Sequence, residues 1–126
     1  LLQKTDKKYS IIYSLDGYDE ISLTNDTKVY SNNFERIIKS KDFDLENLKA
    51  SEIIGGSDIP SSCEIFMNIL NGKGTKGQNN VICANAGVAI SLSRDLTIRQ
   101  GFEIAKESLV SGNALESFNK LKSIMR

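Results

Sequence analysis

Apolar and polar positions divide this chain into a strand-rich first third and a helical remainder. The apolar run Tyr9–Tyr13 predicts a strand that enters the core. Two further strands are predicted at Thr27–Ser31 and Phe34–Lys39, on either side of Asn32-Asn33. Because asparagine tolerates a positive φ, we expect these two strands to form a tight hairpin.

The periodicity changes to that of a helix after Gly56. Residues 41–56 show little periodicity and predict a connection that holds one short turn of helix. Ser57 is the predicted N-cap of the first helix, Pro60 lies in its first turn, and Gly72 suits its C′ position. The predicted apolar face of this helix consists of Ile59, Cys63, Phe66, Met67 and Leu70.

The segment Gln78–Ser93 is apolar nearly all round, which predicts a central, buried helix. Its small residues give a slim profile that lets neighbouring elements approach closely; they are Ala84, Ala86, Gly87 and Ala89. Asn85 lies in the middle of this segment. A buried amide that satisfies nearby backbone groups is the favoured interpretation of Asn85, and a catalytic role is the alternative.

Two more helices complete a predicted α/β fold with about four helices after its strands. Thr97 to Gln100 has the capping-box pattern, in which the Gln100 side chain reaches back to the Thr97 N–H, and Gly112 ends this helix. Its predicted apolar face consists of Ile98, Phe102, Ala105 and Leu109. The predicted stripe of the terminal helix consists of Leu115, Phe118, Leu121 and Met125.

Length and charge limit the classes of protein to consider. The chain has 126 residues, which suits one domain with a real core. Sixteen Lys and Arg residues balance 16 Asp and Glu residues, so nothing in the charge indicates a nucleic acid or an anionic membrane as partner. The longest apolar stretch, Val81–Leu92, is too short to span a bilayer. We expect Cys63 and Cys83 to be small core residues in a reducing cytoplasm rather than a disulfide.

Histidine is absent, so any chemistry must depend on carboxylates, amides, hydroxyls or the backbone. Asp19 and Glu20 follow the first predicted strand and offer adjacent hard oxygen ligands. Such ligands suit Mg²⁺, which is usually held by one or two carboxylates beside a phosphorylated substrate. The alternative is a solvated acidic turn, because Asp16-Gly17 is a strong turn signal.

Two other features suggest phosphate binding, and each has a simpler interpretation. Arg94 and Arg99 are cations that can grip a phosphate, but solvated surface arginines are the favoured interpretation. The glycine-rich segment Gly72–Gly77 lacks the Walker spacing and follows a helix rather than a strand. We therefore expect this segment to be a loop between two helices.

The segment from Leu15 to Ser22 resembles the Gly-x-Asp-Glu-x-Ser signature of the anthranilate phosphoribosyltransferases. The resemblance continues, in the same order and spacing, along most of the chain. The matching motifs are Thr27-Lys28-Val29-Tyr30, Asp42-Phe43, Gly55-Gly56-Ser57, Ile69-Leu70-Asn71-Gly72-Lys73-Gly74, Val81-Ile82-Cys83-Ala84-Asn85-Ala86 and the helix from Glu103 to Gly112. Ser57 departs from the family pattern, where Asp is commoner, and Tyr13-Ser14 stand where a His-Gly pair is frequent.

The resemblance implies a fold similar to that of the pyrimidine nucleoside phosphorylases, with a small helical domain and a larger α/β domain. In the family, a glycine-rich phosphate loop, a Lys-His-Gly-Asn segment and an anthranilate-contacting arginine precede the signature. None of these occurs in this sequence. Residues 1–126 are therefore expected to be a C-terminal portion of the α/β domain, without the N-terminal helical domain and the phosphate-loop region.

The activity that the resemblance implies is transfer of a phosphoribosyl group from phosphoribosyl pyrophosphate (PRPP) to the amine of anthranilate, in tryptophan biosynthesis. Asp19 and Glu20 would hold Mg²⁺, and Ser22 would shape the loop by bonding to its backbone. No catalytic residue is assigned within this chain. The whole enzyme is expected to be a homodimer, and this chain alone an inactive monomer. The alternatives are a pyrimidine nucleoside phosphorylase-like enzyme and a non-catalytic α/β interaction module.

Overall fold

The computed structural model describes residues 2–32 and 34–125. A three-stranded sheet precedes four α-helices in chain order, which confirms the predicted α/β fold. The strands are β1 (Ser10–Ser14), β2 (Thr27–Ser31) and β3 (Glu35–Ile38), and the helices are α1 (Ile59–Leu70), α2 (Lys76–Arg94), α3 (Ile98–Val110) and α4 (Asn113–Ile124). Between β3 and α1 lie two short 3-10 turns rather than the one predicted, Ser40–Phe43 and Ala50–Glu52.

The sheet has β2 at its centre, paired antiparallel with β1 on one side and β3 on the other. This pairing confirms the predicted hairpin, which is closed where the Ser31 N–H donates to the Phe34 carbonyl at 2.8 Å. Asn33, which was predicted in the turn, lies outside the described residues. The Asn32 side chain accepts from the Tyr9 N–H at 2.8 Å, so the hairpin is also fastened to the residue before β1.

The hydrophobic core lies between one face of the sheet and helices α2 and α3. Phe43 from a 3-10 turn packs against Phe102 from α3, with ring centroids 5.6 Å apart. The other buried apolar residues are Ile21, Leu23, Val29, Ile38, Ile69, Cys83, Ala84, Val88, Ala105 and Leu109. The predicted apolar face of α3 is thereby confirmed: Phe102, Ala105 and Leu109 are buried, and Ile98 is partly buried against this cluster.

Capping boxes begin α2 and α3. The Thr97 hydroxyl accepts from the Gln100 N–H at 3.2 Å, and the Gln100 side chain accepts from the Thr97 N–H at 3.0 Å, as predicted. The same arrangement of Thr75 and Gln78 starts α2 two residues before the predicted position. The predicted loop Gly72–Gly77 is confirmed as the connection from α1 to α2 up to Thr75, but Lys76 and Gly77 already belong to α2, because Thr75 caps that helix.

Helix α1 begins at a different cap from the one predicted. The Asp58 carboxylate accepts from the Ser61 N–H at 2.8 Å, so Asp58 rather than Ser57 is the N-cap. A cap at Ser57 would have Pro60 at the third helical position, where proline has no N–H to donate. The predicted end is confirmed, because Gly72 follows the C-cap with a φ of +73°.

The core-facing side of α1 also differs from the prediction. Ile59 is 81% exposed and Cys63 is exposed, so neither belongs to the core. Ile69 is the buried residue of α1, and Ile65, one turn earlier, packs partly buried against the same cluster. The prediction that both cysteines are core residues is therefore wrong for Cys63 and confirmed for Cys83.

Helix α4 lies at the surface of the described structure. None of its residues is buried, and the predicted stripe is largely exposed, with Met125 at 78% exposure. Phe118 is its main aromatic contact and meets Phe66 of α1 edge-on, with ring centroids 5.0 Å apart. The stripe prediction is wrong for Leu121 and Met125, because no described element covers the end of this helix.

Helices α2 and α3 cross where two glycines face each other. A Cβ atom on Gly101 would lie 2.1 Å from the Gly87 carbonyl oxygen, and one on Gly87 would lie 2.6 Å from the Phe102 nitrogen. Only glycine permits such a crossing, because both contacts are with backbone atoms. The predicted slim profile of α2 is thus confirmed, although Ile82 on another side is 40% exposed and the helix is not buried all round.

No described helix is by itself both long and apolar enough to cross a membrane. Helices α2 and α3 satisfy that test of length and composition only when taken together, as a pair bent by 118°.

We expect Gly101→Ala to destabilise the protein by about 1–3 kcal/mol, because overpacking against a backbone atom has a cost of this size. Helix propensity alone would give the opposite sign, since alanine is about 1 kcal/mol better than glycine inside a helix. Gly55→Ala is the control for an unobstructed Cβ, because nothing lies within 4 Å of a Cβ at that position; it lies outside the helices and gains nothing from helix propensity. Urea unfolding measures both variants. Equal stability of the two would show that the helices do not cross this closely.

Candidate functional site

The candidate site is the loop after β1, and its first anchor is a tight turn. The Gly17 N–H donates to the Ser14 carbonyl at 3.0 Å, and the Ser14 N–H donates to the Tyr18 carbonyl at 3.0 Å. Gly17 has a φ of +94°, in the left-handed region that favours glycine. The Leu15 N–H donates to the Asp26 carbonyl at 2.9 Å, which holds the turn against the start of β2.

A carboxylate among three hydroxyls braces this turn. Ser14 Oγ donates to Asp16 Oδ1 at 2.8 Å, and the Thr24 hydroxyl donates to Asp16 Oδ2. The buried hydroxyls of Ser14 and Ser22 lie 3.0 Å apart, and Ser22 Oγ accepts from the Thr24 N–H at 3.2 Å. The Thr24 bond, with smaller help from Ser14 and Ser22, lowers the pKa of Asp16 against an opposing effect of burial. The predicted loop-shaping role of Ser22 is confirmed.

The second anchor comes from Asn85 in the middle of α2. Its Oδ1 accepts from the Ile21 N–H at 2.9 Å, and its Nδ2 donates to the Ile21 carbonyl at 2.8 Å. Nδ2 also donates to the Val81 carbonyl at 2.9 Å, one turn earlier on the same helix. The predicted role of Asn85, satisfying backbone groups, is therefore confirmed.

The segment that Asn85 holds then enters the core. Ile21, Ser22 and Leu23 are all buried, and Leu23 has a φ of +60°, which is unusual for a bulky residue. The Leu23 carbonyl accepts from the Leu48 N–H at 2.8 Å and from Ser40 Oγ at 3.2 Å. Burial and these two bonds fix a backbone conformation that leucine would not adopt alone.

Asp19 and Glu20 lie between the two anchors, and both are exposed. Within residues 2–32 and 34–125, neither carboxylate makes a side-chain hydrogen bond or an ion pair, and no three His, Cys, Asp or Glu residues form a group that could hold a metal ion. The pair therefore offers two uncommitted hard oxygen donors. Such a set fits Mg²⁺ only if phosphate oxygens and water supply the other ligands.

Sequence reasoning missed two features of this site. The sequence pattern predicts only a turn at Asp16, although Ser14, Ser22 and Thr24 nearby carry the hydroxyls that indicate its role. The partner of Asn85 had no signal at all, because Ile21 is 64 residues away in the sequence.

A cavity of about 620 Å³ lies elsewhere, between the sheet and the connection from α2 to α3. Asp95 and Arg99 are among its lining residues, but none of residues 14–23 is, so the acidic pair is outside it. Arg94 and Arg99 are exposed, and Arg99 forms an ion pair with Asp44. These positions agree with the prediction that both are surface arginines.

The sequence matches the model of a family described as "Glycosyl transferase family, a/b domain" over residues 1–115. It is 58% identical to the anthranilate phosphoribosyltransferase of Christiangramia forsetii and 51% identical to that of Flavobacterium psychrophilum, each over 124 residues. Both alignments cover 98% of this chain and 38% of the relative. The chain thus spans less than two-fifths of the length of the curated relatives it matches.

The fold is similar to those of solved anthranilate phosphoribosyltransferases. The Saccharomyces cerevisiae protein, solved in complex with PRPP and Mg, has a TM-score of 0.75 and 27% identity, covering 89% of this chain and 32% of its own. The Thermus thermophilus protein has a TM-score of 0.81 and 16% identity, covering 90% of this chain and 34% of its own. This second likeness shows the shared fold alone.

We expect the hydroxyl cluster to make stability depend on pH through Asp16. Because the folded-state pKa of Asp16 is lowered, its contribution is complete above the ordinary pKa of about 3.8 and is lost as pH falls through the folded-state value. Wild-type protein should therefore lose more stability between pH 6 and pH 3 than Asp16→Asn does. Urea midpoints at the two pH values measure this difference.

Asp6→Asn is the control for the Asp16 comparison, because Asp6 is an exposed aspartate whose side chain makes no hydrogen bond within the described part of the chain. If Asp16→Asn and Asp6→Asn lost equal stability on acidification, the hydroxyl cluster would not be holding the Asp16 carboxylate.

Proposed function

Because this chain belongs to the glycosyl transferase family defined by the a/b domain, we propose that it forms part of an anthranilate phosphoribosyltransferase. The reaction transfers the phosphoribosyl group of PRPP to the amine of anthranilate, as a step in tryptophan biosynthesis. The observation that carries this proposal is 58% identity to one such enzyme over 98% of the chain. The Saccharomyces cerevisiae neighbour, at 27% identity, is named for the same activity.

Asp19 and Glu20 are the proposed Mg²⁺ ligands. They are exposed, they are uncommitted among the described residues, and they follow a turn that is braced by hydrogen bonds. When bound, Mg²⁺ would neutralise charge on the departing pyrophosphate. The chain itself supplies two carboxylate oxygens at a defined place and leaves the remaining positions to substrate phosphates and water. This division agrees with a Saccharomyces cerevisiae relative solved with both PRPP and Mg.

Other residues of the loop support this pair without a proposed contact to substrate. Ser22 is 3% exposed and is engaged with Ser14 and Thr24, so its hydroxyl is committed to the loop. We assign no catalytic residue within this chain. The chemistry at the ribose is assigned to the part of the enzyme that this chain does not span.

The complete enzyme is proposed to be a cytoplasmic homodimer whose partners are PRPP and anthranilate. The formal net charge of zero supports the proposal that neither nucleic acid nor a membrane is a partner. We favour the transferase over a pyrimidine nucleoside phosphorylase-like enzyme or a non-catalytic interaction module, because the named relatives are transferases.

We expect this 126-residue chain alone to show no phosphoribosyl transfer and to be monomeric, because it spans 38% of the relatives' length. An anthranilate fluorescence assay with PRPP and Mg²⁺ tests activity, and sedimentation at several concentrations tests association. Transfer by the chain alone would show that it holds the whole catalytic site, and a tight dimer would contradict the expected monomer.

A complete enzyme for the next test is made by replacing the matching segment of the Christiangramia forsetii relative with this chain. We call this protein the exchange enzyme. In that enzyme, Asp19→Asn and Glu20→Gln should each reduce kcat/KM by about 100-fold at limiting Mg²⁺, which is about 2.7 kcal/mol. The loss should shrink as Mg²⁺ is raised, because excess metal ion compensates for a weaker site.

The matched controls for the acidic pair are Asp6→Asn and Glu46→Gln, which remove exposed carboxylates outside the loop. Both should keep the wild-type dependence on Mg²⁺. Wild-type behaviour of the Asp19 and Glu20 variants as well would refute the metal assignment. An exchange enzyme that folds but transfers no phosphoribosyl group from PRPP would contradict the proposal that this chain forms part of such a transferase.

A further inference from the structure

One side chain from α2 holds the peptide groups on either side of Ile21, the residue directly after the acidic pair. Asn85 accepts from the Ile21 N–H at 2.9 Å and donates to the Ile21 carbonyl at 2.8 Å. This two-point contact fixes the orientation of the local backbone as well as its position, as a single hydrogen bond cannot. A reversed amide would place oxygen against oxygen and nitrogen against N–H.

The Asn85 amide is fixed in one orientation by its hydrogen bonds. Its second N–H donates to the Val81 carbonyl at 2.9 Å, so both of its donors and its acceptor are engaged. Asn85 is also two residues before Gly87, where α2 contacts α3 most closely. The clasp formed by Asn85 and Ile21 is therefore attached to the part of α2 that packs directly against the backbone of α3.

The clasp limits where the two carboxylates can go. Consecutive Cα atoms are about 3.8 Å apart, so fixing Ile21 fixes the attachment point of Glu20 and restricts that of Asp19. Neither residue belongs to a helix or a strand, so no ladder of backbone bonds would hold this stretch in its place. At the other end of the loop, the Tyr18 carbonyl, which accepts from the Ser14 N–H, holds the peptide group before Asp19, so Asn85 is the contact nearest to Glu20.

From this geometry we infer that Asn85 is a positioning residue for the divalent-cation site, setting the direction of Asp19 and Glu20 through the backbone of Ile21. The inference depends on the proposed function, because it assumes that the acidic pair binds the metal ion. Asn85 itself touches neither metal nor substrate. Its loss should weaken metal binding more than it changes the use of anthranilate.

The test uses the complete exchange enzyme with Asn85→Leu and Asn85→Asp. Leucine removes every bond of the clasp at similar volume. Aspartate keeps an acceptor for the Ile21 N–H but sets its second oxygen against the carbonyls of Ile21 and Val81, to which Asn85 donates. Asn79→Leu is the matched control, since Asn79 lies on the same helix and donates to the Gly74 carbonyl at 3.3 Å, away from the loop.

Two readouts separate positioning from general stability. We expect the Mg²⁺ concentration for half-maximal activity to rise at least tenfold in both Asn85→Leu and Asn85→Asp, with KM for anthranilate changed less than twofold. Binding of Mn²⁺ in the presence of PRPP alone, followed by electron paramagnetic resonance, should weaken by a similar factor. Asn79→Leu should leave both quantities at wild-type values.

The outcomes test the positioning role of Asn85 separately from the proposal that Asp19 and Glu20 bind Mg²⁺. If Asp19→Asn shifts the metal dependence and neither Asn85 variant does, the positioning role is wrong and the metal assignment stands. If Asp19→Asn shifts nothing, the metal assignment itself is wrong and the inference falls with it. Should Asn85→Leu fail to fold, Asn85→Asp decides the matter, and wild-type Mn²⁺ binding in that variant would overturn the inference.

Discussion

The close crossing of α2 and α3 is the constraint on which the rest of this structure depends. Gly87 and Gly101 bring the two helix backbones into direct contact, and the residue after Gly101 is Phe102, which packs on Phe43 in the core. The same stretch of α2 carries Asn85, which reaches the loop after β1. Packing of the core and placement of the acidic loop are therefore set by one helix, and separating the helices would disturb both.

The loop with the acidic pair is held by two different kinds of contact. At its start, Asp16 is bonded by hydroxyls that lie within eight residues of it in the chain. At its end, Ile21 is held by a side chain 64 residues away. The Ser14–Asp16 bond is partly buried, as the bonds between Asn85 and Ile21 are, and only the Thr24–Asp16 bond is exposed to competing water. Between the two anchors the carboxylates face solvent. Such a position suits Mg²⁺, most of whose ligands are water and substrate phosphate oxygens.

Local capping patterns predicted the helix ends better than hydrophobic periodicity predicted the buried faces, although the cap of α1 is Asp58 and not the predicted Ser57. Caps at Thr97 and Gly72 were correct because a cap depends on residues within one turn of the helix. The apolar faces of α1 and α4 were partly wrong because an amphipathic pattern shows which side chains avoid water and does not show which element covers them. Ile59 and Met125 are apolar and mostly exposed, since no described element packs over them.

The sequence by itself determined the α/β order of elements, the β2–β3 hairpin, most of the helix ends and the place of Asp19-Glu20 after the first strand. Those features depend on neighbours a few residues apart and on local backbone preferences. Only the tertiary structure decided that Gly87 meets Gly101, that Asn85 grips Ile21 and that Cys63 is exposed while Cys83 is buried. These contacts join residues far apart in the chain, and their partners are selected when the whole core packs at once.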